Sequence, residues 1–275
     1  MCFAATYGRE KIVEFLLQKG RLDDQLYEPF QAACRSGRVS IVKQLLQDPR
    51  LKLENWPQCG FPDACINRES EIVQMLLQDP RTVVPAEVIV YARGANVIRV
   101  LLSDPRVDPS IQSNEAVRLA AYGGDLESVK LLLQDPRVCP TSEAFEGACS
   151  SGYTEIVSLL LNDTRLNPMD RSHEALRLAV KFHQTEVVKL IARNERARSL
   201  IDSSEMLEWA YNASAHGEDE IAHELVEALL SLCTPESLEN TRNIIDRFMK
   251  FGEISDFKLL IKELDLFEMV RFGNY

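Results

Sequence analysis

No apolar run in this 275-residue chain approaches the roughly 18 residues that a membrane-spanning helix requires. Nor does the stretch from Met1 to Glu14 carry a basic patch followed by an apolar core, so no secretory signal is visible. Histidine is scarce, with four residues, and tryptophan scarcer, with two. The seven cysteines have an odd count and no regular spacing, which speaks against a secreted disulfide framework. The expectation is a cytoplasmic protein in a reducing compartment. Also missing are Gly-x-x-x-x-Gly-Lys, Gly-x-Gly-x-x-Gly and His-Glu-x-x-His, the segments that cradle phosphates or hold a catalytic zinc.

Positive charge is lacking in one part of the chain. Asp and Glu number 42 against 31 Lys and Arg, a net of −11. Between 201 and 275 there are sixteen acids against six bases, whereas residues 1 to 200 are nearly balanced at 26 against 25. An acidic C-terminal quarter repels phosphate backbones and anionic lipid, so neither nucleic acid nor a membrane is expected as its partner.

What the chain has in abundance is repetition. The segment Leu131-Leu132-Leu133-Gln134-Asp135-Pro136-Arg137-Val138 has close copies at Leu45 to Leu51, Leu76 to Arg81 and Leu101 to Val107, and a weaker one at Leu159 to Leu166. A phrase repeated at this spacing marks stacked structural units. Each copy follows an apolar pair: Ile12-Val13, Ile41-Val42, Ile72-Val73, Val97-Ile98, Ser128-Val129, Ile156-Val157 and Val187-Val188. Leucine or isoleucine follows three residues later, at 16, 45, 76, 101, 132, 160 and 191, so one face of a helix is apolar. Asp-Pro then stops that helix, because proline offers no N–H and disfavours helix in the residue before it.

A second helix precedes it in every unit. Eight residues before the pair stands a small residue, Ala4, Ala33, Ala64, Ala120, Ala148 or Ala179, that permits close helix approach. Four residues before the pair come Gly8, Gly37, Gly124 and Gly152, with Gly94 and Gly217 nearby, suited to the left-handed turn between helices. Arg68 and His183 replace glycine at two of these turns. Glu28, Glu115, Glu143 and Glu174 stand where they lead the first helix and complement its dipole.

The pattern resembles the ankyrin repeat. Ala120-Ala121-Tyr122-Gly123-Gly124 and Ala148-Cys149-Ser150-Ser151-Gly152 carry its middle block. Glu155-Ile156-Val157-Ser158-Leu159-Leu160-Leu161 and Glu186-Val187-Val188-Lys189-Leu190-Ile191 carry its last. The resemblance implies an all-α, ankyrin-like solenoid of stacked helix-turn-helix repeats joined by short loops or hairpins. About seven repeats are expected over 1–200, the first truncated at its N-terminus. Residues 201–275 are expected to be acidic, degenerate repeats forming a C-terminal helical cap, with Gly252 to Glu263 as a last turn and helix and Phe248, Phe251, Phe267 and Met269 as filling. The unit at 86–107, the shortest, is expected to have a trimmed helix pair. Glu-Pro-Phe-Gln, Glu-Ala-Val-Arg and Glu-Ala-Leu-Arg at 28–31, 115–118 and 174–177 depart from the family's Thr-Pro-Leu-His, so its Thr–His hydrogen bonding is lost.

Candidates for chemistry are few. Glu220 and His223 share a helical face, but the additional glutamates and second Glu-x-x-His of a di-iron bundle are lacking. Cys34, Cys65 and Cys149 occupy the small-residue packing position and read as core. No cofactor, metal or catalytic residue is assigned, and the chain is read as no enzyme. In the family, the two residues between the alanine pair and the glycine face the concave groove. Here they are Thr6-Tyr7, Arg35-Ser36, Ile66-Asn67, Tyr122-Gly123, Ser150-Ser151 and Lys181-Phe182, and they differ from unit to unit while their flanks repeat. Tyr7, Arg35, Asn67, Tyr122, Ser150, Lys181 and Phe182, with Trp56 in an irregular loop, are therefore the expected contacts of a protein partner. The resulting expectation is a monomeric, non-catalytic interaction scaffold. The alternatives are a targeting or regulatory segment of a larger protein with a catalytic domain upstream, or an α-helical enzyme with a site between helices.

Overall fold

The computed structural model describes residues 1–19, 26–51, 53, 60–167, 170–198, 203–215 and 219–232. His216, Gly217 and the expected cap from 233 to 275 lie outside the described residues. Two compact units are present, Met1–Cys139 and Pro140–Tyr275. Every regular element among the described residues is helical.

In the first unit the helices come in pairs: α1 (Cys2–Thr6) with α2 (Glu10–Gln18), α3 (Tyr27–Arg35) with α4 (Val39–Leu46), and α5 (Phe61–Ile66) with α6 (Ser70–Gln78). A single 3₁₀ turn, Val88–Tyr91, precedes α7 (Ala95–Leu102), and α8 (Ile111–Tyr122) pairs with α9 (Leu126–Gln134). The unit at 86–107 is thus trimmed as expected, to a four-residue turn in place of its first helix. The first helices pack on one another in chain order, as do the second helices, giving two rows. The second unit repeats the plan with α10 (Ser142–Ser151), α11 (Thr154–Asn162), α12 (Asp170–Lys181), α13 (Thr185–Arg193), the short α14 (Glu195–Arg198), α15 (Ser203–Ala215) and α16 (Asp219–Leu232). There α10, α12 and α15 form one row and α11, α13 and α16 the other.

The turn inside each pair explains the recurring alanine and glycine. The N–H after the glycine position donates to the carbonyl of the small residue five positions back: Arg9 to Ala4, Arg38 to Ala33, Glu69 to Ala64, Asp125 to Ala120, Tyr153 to Ala148 and Gln184 to Ala179, at 2.8 to 3.0 Å. This six-to-one bond closes a helix end and requires a left-handed residue inside it. Glycine supplies that conformation in four of these turns, whereas Arg68 (φ 66°) and His183 (φ 57°) adopt it with a side chain in place. Asp125 and Thr141 cap α9 and α10 by accepting from the N–H groups of Ser128 and Ala144.

The apolar pairs form the core. Ile41, Val42, Ile72, Val73, Val97, Ile98, Ile156, Val157, Val187 and Val188 are all buried, and so are Phe30, Phe61 and Phe145 on first helices. Burying each such side chain contributes about 1.5–3 kcal/mol. The first pair is split: Val13 is buried, but α2 packs against α1 and α4 and leaves Ile12 and Phe15 exposed. Cys34, Cys65 and Cys149 are buried in the packing position, and burial pushes the Cys149 thiol well above its ordinary range. Glu28 and Glu143 stand in the first turns of α3 and α10, while Glu115 and Glu174 pair with Arg118 and Arg177 one turn on.

Two features were not expected from the sequence. Gln112, Ser113 and Asn114 are all left-handed, with φ between 52° and 66°, so a turn of opposite hand precedes the regular part of α8. Three such side-chain-bearing residues cost about 1–2 kcal/mol each. Part of that is offset where Asn114 Oδ1 accepts from the Cys139 N–H at 2.9 Å. The second feature is the role of Asp-Pro-Arg. Asp-Pro does end the helices, with Asp79 and Asp135 turning to extended backbone. The arginine does more. Arg81 is held in a fork by Asp79, through Nε at 3.0 Å and Nη2 at 2.6 Å. Thus aimed, its guanidinium donates to the carbonyls of Leu46 and Leu51, one repeat earlier. Arg50 reaches Leu17 in the same way, Arg106 reaches Leu77, and Arg137 reaches Val107. In the second unit Arg196, which follows Asn194-Glu195 instead of Asp-Pro, reaches Leu166 and Asp163. Carbonyls at the end of one repeat's second helix, as at Leu17, Leu46 and Leu77, or in the loop after it, as at Leu51, Val107 and Leu166, are thereby capped from the next.

Candidate functional site

In the six repeats whose first helix ends in the six-to-one turn, at least one of the two residues before the left-handed position is exposed. Tyr7 caps α1 and is 57% exposed; Ile66 ends α5 at 48%; Tyr122 ends α8 at 60%; Phe182 follows α12 at 47%. Among the described residues, eight large apolar side chains are exposed, and these four are half of them. The other expected positions are polar. Arg35 and Asn67 are exposed and Ser150 is half-buried. Trp56 lies outside the described residues.

Local bonds hold several of these groups in place. Arg35 Nε donates to Asp63 Oδ1 at 2.8 Å, joining α3 to α5. Asn67 Nδ2 donates to the Asp63 carbonyl at 2.8 Å. Ser150 Oγ donates to the Gly147 carbonyl, and the Ser150 carbonyl accepts from Gln184 Nε2. Phe3 lies beside Tyr7 with ring centroids 4.4 Å apart, so the N-terminal end of the first unit presents a small aromatic patch. In the second unit the Lys181 ammonium sits 5.5 Å from the centroid of the Phe182 ring, within cation–π range.

A cavity of about 380 Å³ opens beside Lys181, lined by Arg177, Val180, Lys181, His183, Trp209, Asn212 and Ala213. In the first unit a second cavity, of about 470 Å³, lies over the turns that hold Arg68, Gly94 and Gly124. Of the Glu220 and His223 pair, Glu220 accepts from Lys189 Nζ at 2.5 Å. No group of three or more metal-ligating side chains converges among the described residues. No helix among them is long and apolar enough to cross a membrane.

Residues 117–203 match the model of a family described as ankyrin repeats, in three copies. That segment is similar to ankyrin repeats. The matched segment runs from the core Val117 of α8 to the start of α15 and contains Tyr122, Ser150, Lys181 and Phe182. No curated protein matches the chain. Ankyrin repeats are generally protein–protein interaction modules, and their domains are typically non-catalytic. Outside 117–203, the repeat plan rests on the helix pairs and on the capping bonds that recur from Arg9 onward.

Sequence reasoning located the exposed positions but missed the cavity beside Lys181. Its wall comes from two successive first helices, and nothing in the spacing of Lys181 and Trp209 announces that they meet. The replacement of turn glycine by His183 was the available signal.

Proposed function

We propose that this protein is a non-catalytic recognition scaffold. It binds a protein partner through the variable residues at the turn ends of its first helices, the positions that line the concave groove in the ankyrin family. One observation carries the reading. Half of the exposed large apolar side chains among the described residues fall at the two positions per repeat where the units cease to agree. Exposed aromatic groups on a rigid backbone supply binding energy at little entropic cost, which is why they dominate interface hot spots. Tyr122 and Phe182 are the principal anchors, Tyr7 and Ile66 extend the set, and Arg35, Asn67, Ser150 and Lys181 provide polar selectivity.

The test is affinity capture with the wild-type chain, Tyr122→Ala and Phe182→Glu, each checked by thermal melting. The expected result is loss of the same proteins from both variants with unchanged melting. Recovery of all proteins at equal levels by the variants overturns the assignment.

A further inference from the structure

We propose that the cavity of the first unit, between the turns at Arg68 and Gly124, receives an acidic side chain of the protein partner. The proposal deepens the recognition reading and rests on it. The cavity lies at the trimmed repeat, where the four-residue turn Val88–Tyr91 stands in place of a first helix that has nine residues in α3. The chain leaves that turn without the six-to-one bond; the Arg93 N–H donates instead to the Cys65 carbonyl, one repeat earlier. The volume, about 470 Å³, is within the range of sites that enclose a small ligand or a few side chains. Arg68, Arg93, Gly94, Asn96 and Asp125 are in its lining.

Three side chains of the lining have donors to spare. Arg93 gives Nη1 to the carbonyls of Val90 and Ala92, at 3.0 and 2.8 Å. These two anchors fix the guanidinium and leave Nε and Nη2 open. That is the edge with which Arg81 grips the Asp79 carboxylate, at 3.0 and 2.6 Å, and its two parallel donors match the two oxygens of a carboxylate. Arg68 makes no hydrogen bond or ion pair among the described residues. Its stem is packed nonetheless: Cδ lies 3.4 Å from the point where a side chain on Gly94 would begin. Asn96 Oδ1 accepts from Arg99 Nη1 at 2.8 Å, which sets the amide and leaves its N–H₂ uncommitted.

The backbone supplies an independent argument. Arg68 holds φ 66° at the turn position where Gly8, Gly37, Gly124 and Gly152 stand in other repeats. The arginine is there at a cost to the fold, and what it adds is a cation at the cavity. Asp125 ion-pairs with neither arginine among the described residues and accepts from the Ser128 N–H at 3.1 Å. Its charge favours a singly charged carboxylate over a dianionic phosphate. The occupant is a peptide and not a free ion, because Ile66 and Tyr122 are exposed one repeat before the cavity and one after it. Residues flanking the acid find apolar contacts there that an isolated anion cannot use.

The experiment uses the full chain and a phage-displayed library of random dodecapeptides. Selected peptides are expected to carry Asp or Glu beside an apolar residue. Changing that acid to its amide is expected to weaken binding by about tenfold, by fluorescence anisotropy at constant ionic strength. Arg68→Gly and Asn96→Asp are each expected to weaken the parent peptide by about tenfold. Neither should melt below wild type, since the first relieves a left-handed φ and the second places an acid in the first turn of α7. Loss of the pocket is thereby separated from loss of the fold. Failure to select any peptide, selected peptides without an acid, equal binding of the amide counterparts, or binding unchanged in either variant overturns the proposal. Complete displacement by inorganic phosphate overturns it in favour of a small-anion site. The two readings fail separately. If Arg68→Gly and Asn96→Asp capture the wild-type partners and no acidic peptide is selected, the pocket is lost and the scaffold reading stands. If acidic peptides bind through the pocket but the wild type, Tyr122→Ala and Phe182→Glu capture the same proteins equally, the scaffold reading is lost instead.

Discussion

Replacing Arg81 by alanine tests whether the repeats are fastened to one another by the Asp-Pro-Arg segment. In the wild type its Nη2 donates to the Leu46 carbonyl at 2.5 Å and its Nη1 to the Leu51 carbonyl at 3.3 Å. A hydrogen bond from a charged donor contributes about 1.5–3 kcal/mol in a protected site. The Arg81 side chain is 36% exposed, so water takes over part of each bond when the guanidinium is removed, and about 1 kcal/mol per carbonyl is the appropriate figure. Arg81→Ala is therefore expected to cost about 2 kcal/mol. Arg106→Ala is the internal comparison. That arginine reaches a single carbonyl, Leu77, from a more exposed position, and about 1 kcal/mol is expected. Urea denaturation followed by far-UV circular dichroism measures both. Because these bonds run between repeats, Arg81→Ala should also broaden the transition, as stacked units with weakened interfaces unfold less cooperatively. Equal losses in the two variants, or a loss at Arg81 below about 0.5 kcal/mol with an unchanged slope, would refute the argument.

Further expectations follow from the same structure. Asp48, Asp79, Asp104, Asp135 and Asp163 have their carboxyls held below the ordinary range, chiefly by hydrogen bonds from the arginine two residues on. A lowered folded-state value means stability that is fully present above the unfolded carboxyl range, about pH 4, and lost as the pH falls through the folded values; thermal melts across acid pH will show the decline. Ser128 is buried with no hydrogen-bond partner for its Oγ, at a position held by Ile or Val in the other repeats, so Ser128→Val should raise stability by about 1 kcal/mol in the same urea assay. Arg68→Gly should stabilise by about 1 kcal/mol by relieving a left-handed φ, read from the shift in melting temperature. Among Cys34, Cys65, Cys139 and Cys149, only Cys139 is exposed, so mass spectrometry after brief alkylation should find it modified first and Cys149 last.

Much of the fold was legible because its signals are local. The apolar pairs, the alanine and glycine of each turn and the Asp-Pro stop act within a dozen residues. Even the odd turns at Arg68 and His183 could be placed by counting. The trimmed unit at 86–107 was legible for the same reason. What escaped was long-range or stereochemical. The reach of Arg81 to Leu46 spans 35 residues, and an arginine aimed at main-chain carbonyls leaves no complementary side chain to notice. The left-handed run at Gln112 to Asn114 involves residues with no strong mark of their own beyond asparagine. Of the candidate site, the exposed positions were readable because they vary against a constant frame. The cavity was not, since Trp209 and Lys181 come from different repeats.

The arginine link has a consequence for how such a chain can change. Its acceptors are carbonyl oxygens, which every residue possesses, so it places no demand on the amino-acid sequence of the neighbour it grips. A repeat can be duplicated, deleted or exchanged, and the join re-forms wherever Asp-x-Arg follows a helix end. The fastening is blind to sequence, and that frees the turn-end residues to diversify without endangering the stack.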